Sequence, residues 1–149
     1  MMSPVRVEVV PEVVDLAPRL RSAVTRLNRR LRSSSLGGIS PGQASALAMI
    51  ERLGSPALSE LAAAEQVRPP SMTRLVDALE ADGLVLRRVD ETDRRCQRVT
   101  LTPGGRRALA GIRSRKTAFL EERLADLSVA ELDAVGRALG ILERLAEER

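Results

Sequence analysis

Six stretches of this chain carry apolar residues at the three-and-four spacing that lays one stripe along a helix, and one stretch near the middle changes to a spacing of two. Leu16, Leu20, Val24, Leu27 and Leu31 predict a first helix, with Asp15 as N-cap and Pro18 in its first turn, reaching about Ser34. Met1 to Val14, with Pro4 and Pro11 and little helical pattern, read as a tail. The run from Ser33 to Gly38 breaks the first helix. Ser40-Pro41 then opens a second, with Ala44, Leu47, Ala48 and Leu53 inward and Gly54 as its stop. Ser55-Pro56 opens a short third helix to about Gln66, facing Leu58, Leu61 and Ala62 inward. Val67-Arg68 is a turn. Pro69 to Ala81 forms a fourth helix on Met72, Leu75, Val76 and Leu79, ended by Asp82-Gly83.

Here the period switches. Val85 and Val89 alternate with Leu86 and Arg88, and Val99 and Leu101 with Arg98 and Thr100, which predicts two half-buried strands. The polar segment between them is a hairpin tip. Thr102-Pro103 caps a long fifth helix striped by Leu109, Ile112, Phe119, Leu120 and Leu124. Ser128 and Glu131 form a capping box for a sixth, with Leu132, Val135, Leu139, Leu142 and Leu145 along one side. Helix, short helix, tight turn, helix and hairpin make a winged helix-turn-helix over residues 40–102. The fold class is therefore mainly α with a small β-hairpin, in a single domain of residues 1–149. The Leu-rich helices of residues 15–39 and 103–149 suit a dimerisation bundle, or else pack within one monomer.

Composition narrows the partner. At 149 residues the chain is long enough for one sizeable core. It holds one Phe and neither Tyr nor Trp, so base stacking on rings, which single strands and RNA loops require, is essentially excluded. Double-stranded DNA needs no rings. Net charge is only +4, and Lys116 is the sole lysine, so arginine supplies nearly all positive charge. Coding bias and phosphate binding each produce that excess. Its clustering says more: Arg94 and Arg95 lie at the hairpin tip, and Arg68 and Arg74 near the start of the fourth helix.

Without histidine, a Gly-rich phosphate loop, HExxH or GxSxG, the chain lacks the usual routes to acid–base or metal catalysis. Asp90, Glu91 and Asp93 form an acidic cluster that reads as a solvated turn. One cysteine, Cys96, excludes an internal disulfide, and no Cys/His metal site or other cofactor is expected. No apolar run is long enough to cross a membrane, and no secretory h-region opens the chain, so a cytoplasmic location is expected.

The order of elements, the segments LSELAAAEQV and RPPSMTRLVDALEADGLV, and the tip Asp93-Arg94-Arg95 followed by RVTLTPGGR resemble the MarR family of transcriptional regulators, from about Asp15 to Leu145. The resemblance implies a homodimer on a pseudo-palindromic operator, its recognition helices entering major grooves about 10 bp apart. It implies that Asp93 orients Arg95 into a flanking minor groove. A carboxylate two residues from a guanidinium at a tight tip suits bidentate pairing; the alternative is a solvated tip with unconstrained charges. Matched positions place Pro70, Ser71, Thr73 and Arg74 toward DNA, with Arg74 reading a guanine and Ser71 and Thr73 touching phosphates. Ser40, at a helix start, presents backbone N–H groups to a phosphate. Arg87 and Arg88 flank the wing, and either is a phosphate contact or an exposed strand residue. The family's repressors often answer to small aromatic anions, but the sequence names no ligand or pocket residues. Cys96 is incidental unless oxidation near DNA gives it a redox role. The competing reading is an architectural, ligand-independent winged-helix module that binds DNA or protein.

Overall fold

The computed structural model describes residues 11–147, which form α1 (Pro11–Ser35), α2 (Pro41–Leu53), α3 (Leu58–Ala64), α4 (Pro69–Ala81), β1 (Val85–Val89), β2 (Gln97–Leu101), α5 (Pro103–Ala125) and α6 (Val129–Ala146). The expected fold, mainly α with one antiparallel hairpin, is the one observed. Its boundaries have local causes. Ser40 Oγ accepts from Gln43 N at 3.2 Å while Ser40 N donates to Gln43 Oε1 at 2.8 Å, a reciprocal cap that opens α2. Ser128 and Glu131 repeat this at α6. At the end of α4, Gly83 takes φ +70°, and Leu84 N donates back to Leu79 O at 2.9 Å. The end of α3 makes the same turn with Gln66 at φ +54°, where Val67 N reaches Ala62 O at 3.0 Å.

The core gathers where the helix-turn-helix meets the wing. Leu47 and Ile50 of α2, Leu61 of α3, Met72, Val76 and Leu79 of α4, and Val85 and Val99 of the strands are fully enclosed. Burying an aliphatic side chain of this size contributes about 1.5–3 kcal/mol, so this cluster fixes how α4 and the hairpin sit together. The strands pair in register, Val85 with Leu101, Arg87 with Val99 and Val89 with Gln97. Leu109 and Ile112 of α5 are buried too, and Arg115 Nε donates to the carbonyl of buried Ser35 at 2.7 Å, tying α5 to the end of α1.

Three sequence expectations are corrected. First, residues 11–14 are already helical, so Asp15 does not cap α1 and Pro18 lies inside it; residues 1–10 of the expected tail lie outside the described residues. Second, α3 begins at Leu58 rather than at Ser55-Pro56. The Pro56 carbonyl accepts from Val99 N at 2.9 Å and Ala57 bridges Arg98, so this segment lies along the outer edge of β2. Glu60 Oε2 caps the helix instead, through Ala57 N at 2.7 Å. Third, Ala46, Leu47 and Ile50 form the buried stripe of α2, whereas Leu53 is exposed.

The outer helices leave their stripes uncovered. Leu16, Val24 and Leu27 of α1 are exposed, and no residue of α6 is buried; Leu132, Val135, Leu139, Leu142 and Leu145 all stand open.

Candidate nucleic-acid interface

Burial divides α4 cleanly. Met72, Val76 and Leu79 face the core, while Pro70, Ser71, Thr73 and Arg74 are exposed around its N-terminal turns. Pro69 and Pro70 occupy the first turn, where they remove no helical hydrogen bond, and Arg68 precedes them in extended conformation. Thr73 Oγ1 donates to the Pro69 carbonyl at 3.0 Å, which satisfies the hydroxyl within the helix. Ser40, the cap of α2, is exposed as well.

The wing tip is organised by Asp90. Its Oδ1 accepts from Thr92 N at 2.8 Å, Thr92 Oγ1 at 2.6 Å and Asp93 N at 3.1 Å, and its Oδ2 accepts from Arg98 Nε at 2.5 Å. The Thr92 hydroxyl, then Arg98, then the backbone N–H groups hold its carboxyl well below the ordinary carboxylate range. Asp90 is therefore a partly buried anchor, with its side chain 10% exposed, and not part of a solvated acidic cluster. Asp93 also shapes the loop, but by its backbone reach: Asp93 Oδ1 accepts from Arg95 N at 3.0 Å, and Asp93 O from Cys96 N at 2.9 Å. The expected bidentate pairing with the Arg95 guanidinium does not form, because Asp93 closes the turn with that carboxylate.

Two classes of arginine separate here. Arg68, Arg74, Arg88, Arg94 and Arg95 are exposed and form no ion pair with another described residue. Arg87 and Arg98 are committed. Arg98 Nη1 donates to the Ser55 carbonyl at 3.0 Å and lies 3.4 Å from Glu60, so it clamps the hairpin to the start of α3. Arg87 Nη2 reaches Asp77 Oδ1 at 2.6 Å and the Thr73 carbonyl at 3.2 Å, with Glu80 Oε2 3.5 Å from Nη1. Its side chain is 19% exposed, so in place of the exposed strand residue that was one alternative, Arg87 forms a bracket between β1 and α4.

The comparisons agree with this architecture. The MarR family model matches residues 39–97, from the cap of α2 to the wing. The chain is 35% identical over 134 residues to the HTH-type transcriptional regulator Mb0904 of Mycobacterium bovis, covering 89% of this chain and 94% of that one. The chain belongs to the MarR family. This MarR-family chain also resembles a solved transcriptional regulator of Pseudomonas aeruginosa, at 36% identity and a TM-score of 0.80, over 94% of this chain and 100% of that one. A third relative, the HTH-type transcriptional repressor MdtR of Bacillus subtilis, is 28% identical over 78% of this chain and 76% of its own. Family membership makes the protein a DNA-binding transcriptional regulator and not an enzyme. None of its described helices is long and apolar enough to cross a membrane.

As a MarR-family regulator the chain has one further feature that the sequence did not name. A crevice of about 240 Å³ opens between α1, α2 and α5, lined by Arg32, Ala44, Ala48, Ile112, Arg113 and Lys116. Arg113 is ion-paired with Glu51 at its edge. The structural acids Asp77, Glu80 and Glu60 were also missed. Their signal was weak: acidic side chains on helices otherwise facing a polyanion, at positions that only tertiary packing sets against Arg87 and Arg98.

Proposed function

We propose that this MarR-family protein is a ligand-responsive repressor that acts as a homodimer on a pseudo-palindromic operator. The observation that carries the reading is the sorting of the arginines. Arg87 and Arg98 of the hairpin body are spent on Asp77, Glu80, Asp90 and Glu60, while Arg88 and the arginines at the start of α4 and at the wing tip keep their donors for a polyanion. In this reading Arg74 bridges a guanine in the major groove, with Pro70 against the bases. Arg68, Ser71, Thr73, Arg88 and the α2 start at Ser40 meet phosphates. Arg94 and Arg95 enter the flanking minor groove from a tip that Asp93 keeps closed.

The open apolar stripes of α1 and α6 support the homodimer, with residues 15–39 and 103–149 as its seam and residues 40–102 as its DNA-binding part. A second copy that covers both stripes would space two recognition helices about one DNA turn apart. The crevice beside Arg32 and Lys116 supports the effector: it is small, part apolar and rimmed by cations, which suits a compact organic anion. Repression follows the relative MdtR, whose name records a repressor.

Selection of bound duplexes from a random library, at fixed near-physiological salt, tests the reading. Recovery of a palindrome with half-sites about 10 bp apart is the expected result. Recovery of no motif, with binding that disappears as salt rises, would overturn it in favour of an architectural binder.

A further inference from the structure

We propose that Arg87, anchored by Asp77, is a positioning residue that sets the angle between the recognition helix and the wing, so that both engage one duplex together. The proposal rests on the DNA-binding reading above and adds a role that no contact with DNA supplies.

Thr73, Asp77 and Glu80 are spaced four and three apart, which puts them in one row along α4. Arg87 of β1 lies against that row and touches all three: Thr73 O at 3.2 Å, Asp77 Oδ1 at 2.6 Å and Glu80 Oε2 at 3.5 Å. The Arg87 backbone N–H also donates to Glu80 Oε1 at 3.2 Å, so main chain and side chain hold the same helix face. The covalent link between α4 and β1, through Gly83, secures only the far end of the helix. Arg87 reaches Thr73, in the turn that carries Ser71 and Arg74, and so ties down the end that meets DNA. The buried contacts of Met72 and Val76 seat that end against the core, but dispersion and burial carry no angular preference of their own within that seat. A planar guanidinium on a carboxylate and a carbonyl adds directional contacts that refine the rotation. The neighbouring strand is clamped on its other side, where Arg98 meets Ser55 O and Glu60. Helix and wing are thereby set as one rigid reader.

The two partners make the test discriminating. Asp77→Asn removes a negative charge from the helix that faces the polyanion, so electrostatics alone makes that variant bind more tightly. Positioning demands the opposite. Asp77 is 54% exposed, which makes the substitution mild for folding. Affinities for the selected operator and for random duplex are measured on wild type, Asp77→Asn, Arg87→Gln and the double variant, below the melting transition of each. The expected result is a loss of about fivefold in operator affinity for each single variant, within the range of coupled neighbours. Random-duplex affinity does not fall for Asp77→Asn, the double variant is no weaker than the singles, and the salt slope of Arg87→Gln matches wild type. Undiminished operator binding by Asp77→Asn, or a salt slope lower by about one for Arg87→Gln, would overturn the proposal and make Arg87 a phosphate contact or a bystander. Parallel loss of operator and random binding would reduce the bracket to general stability and overturn it equally. A wild-type protein that selects no operator refutes the DNA reading and this inference with it, whereas indifferent variants of a selective wild type refute the inference alone.

Discussion

Asp90 and Arg98 face each other across the base of the wing, with Arg98 Nε 2.5 Å from Asp90 Oδ2 and the opposite carboxylate oxygen filled by Thr92 and Asp93. One partly buried carboxylate thus shapes the tip and joins it to the strand that Arg98 clamps onto α3. Ionised Asp90 accepts all four of these hydrogen bonds at the base of the wing that carries Arg94 and Arg95.

That relationship has a definite pH dependence. The Thr92 hydroxyl, Arg98 and the two N–H groups depress the Asp90 carboxyl below its ordinary value of 3.8 in the folded protein, and the unfolded chain lacks them. The contribution to stability is therefore complete above about pH 5, and is lost as pH falls through the unfolded value toward the lower folded one. Thermal melting of wild type and Asp90→Asn should show a constant difference in Tm from about pH 5 to 8, narrowing below 3.8. A difference that persists unchanged at about pH 2 would show that the carboxylate charge contributes nothing.

The Leu-Thr-x-x-Gly closing the hairpin has a steric reason. Thr102 Oγ1 donates to Gly83 O at 2.6 Å and accepts from Gly105 N at 3.0 Å, which draws the start of α5 onto the turn after α4. A Cβ at Gly105 would stand 2.0 Å from the Leu84 carbonyl oxygen, a backbone atom that cannot swing away. Gly105→Ala should therefore destabilise by about 3 kcal/mol or more, despite alanine's better helix propensity. Urea unfolding checks this; a loss under about 1 kcal/mol would mean that α5 shifts freely at its first turn.

What the sequence disclosed was what neighbouring residues decide. Ser40 with Gln43, Ser128 with Glu131 and Asp82-Gly83 act within a turn, and each boundary appears where its residues require. Pro56 misled because proline serves a helix start and a strand edge equally; the Val99 N–H, more than forty residues on, settles its use. Adjacent Arg87 and Arg88 look alike in sequence. On a strand they point to opposite faces, and only the packing of α4 gives Arg87 its carboxylates and leaves Arg88 exposed. Asp90 and Asp93 were equally ambiguous, since both roles depend on which N–H groups the loop turns toward them.

The uncommitted arginines should divide by role. Arg95→Ala is expected to weaken binding across all duplexes and lower the salt slope by about one. Arg74→Ala should instead relax preference at one base pair by about 1–3 kcal/mol. Duplex selection repeated on both variants checks this. Identical base preferences in wild type and Arg74→Ala would take Arg74 out of direct readout.

Association of two chains is tested on α6. Leu139 is 51% exposed, on a helix with no buried residue, midway along the row from Leu132 to Leu145. If a second copy covers this row, an arginine at Leu139 places a charge in an apolar seam with no partner, at a cost of several kcal/mol. The site lies outside residues 40–102, so the winged helix itself should stay folded. Leu139→Arg should therefore be monomeric by light scattering at concentrations where wild type is dimeric. It should also lose about a hundredfold or more in operator affinity, since a lone subunit binds one half-site without the gain of the second. Affinity for a single half-site duplex should be unchanged. A Leu139→Arg protein that stays dimeric would place the seam on another face of the helical region.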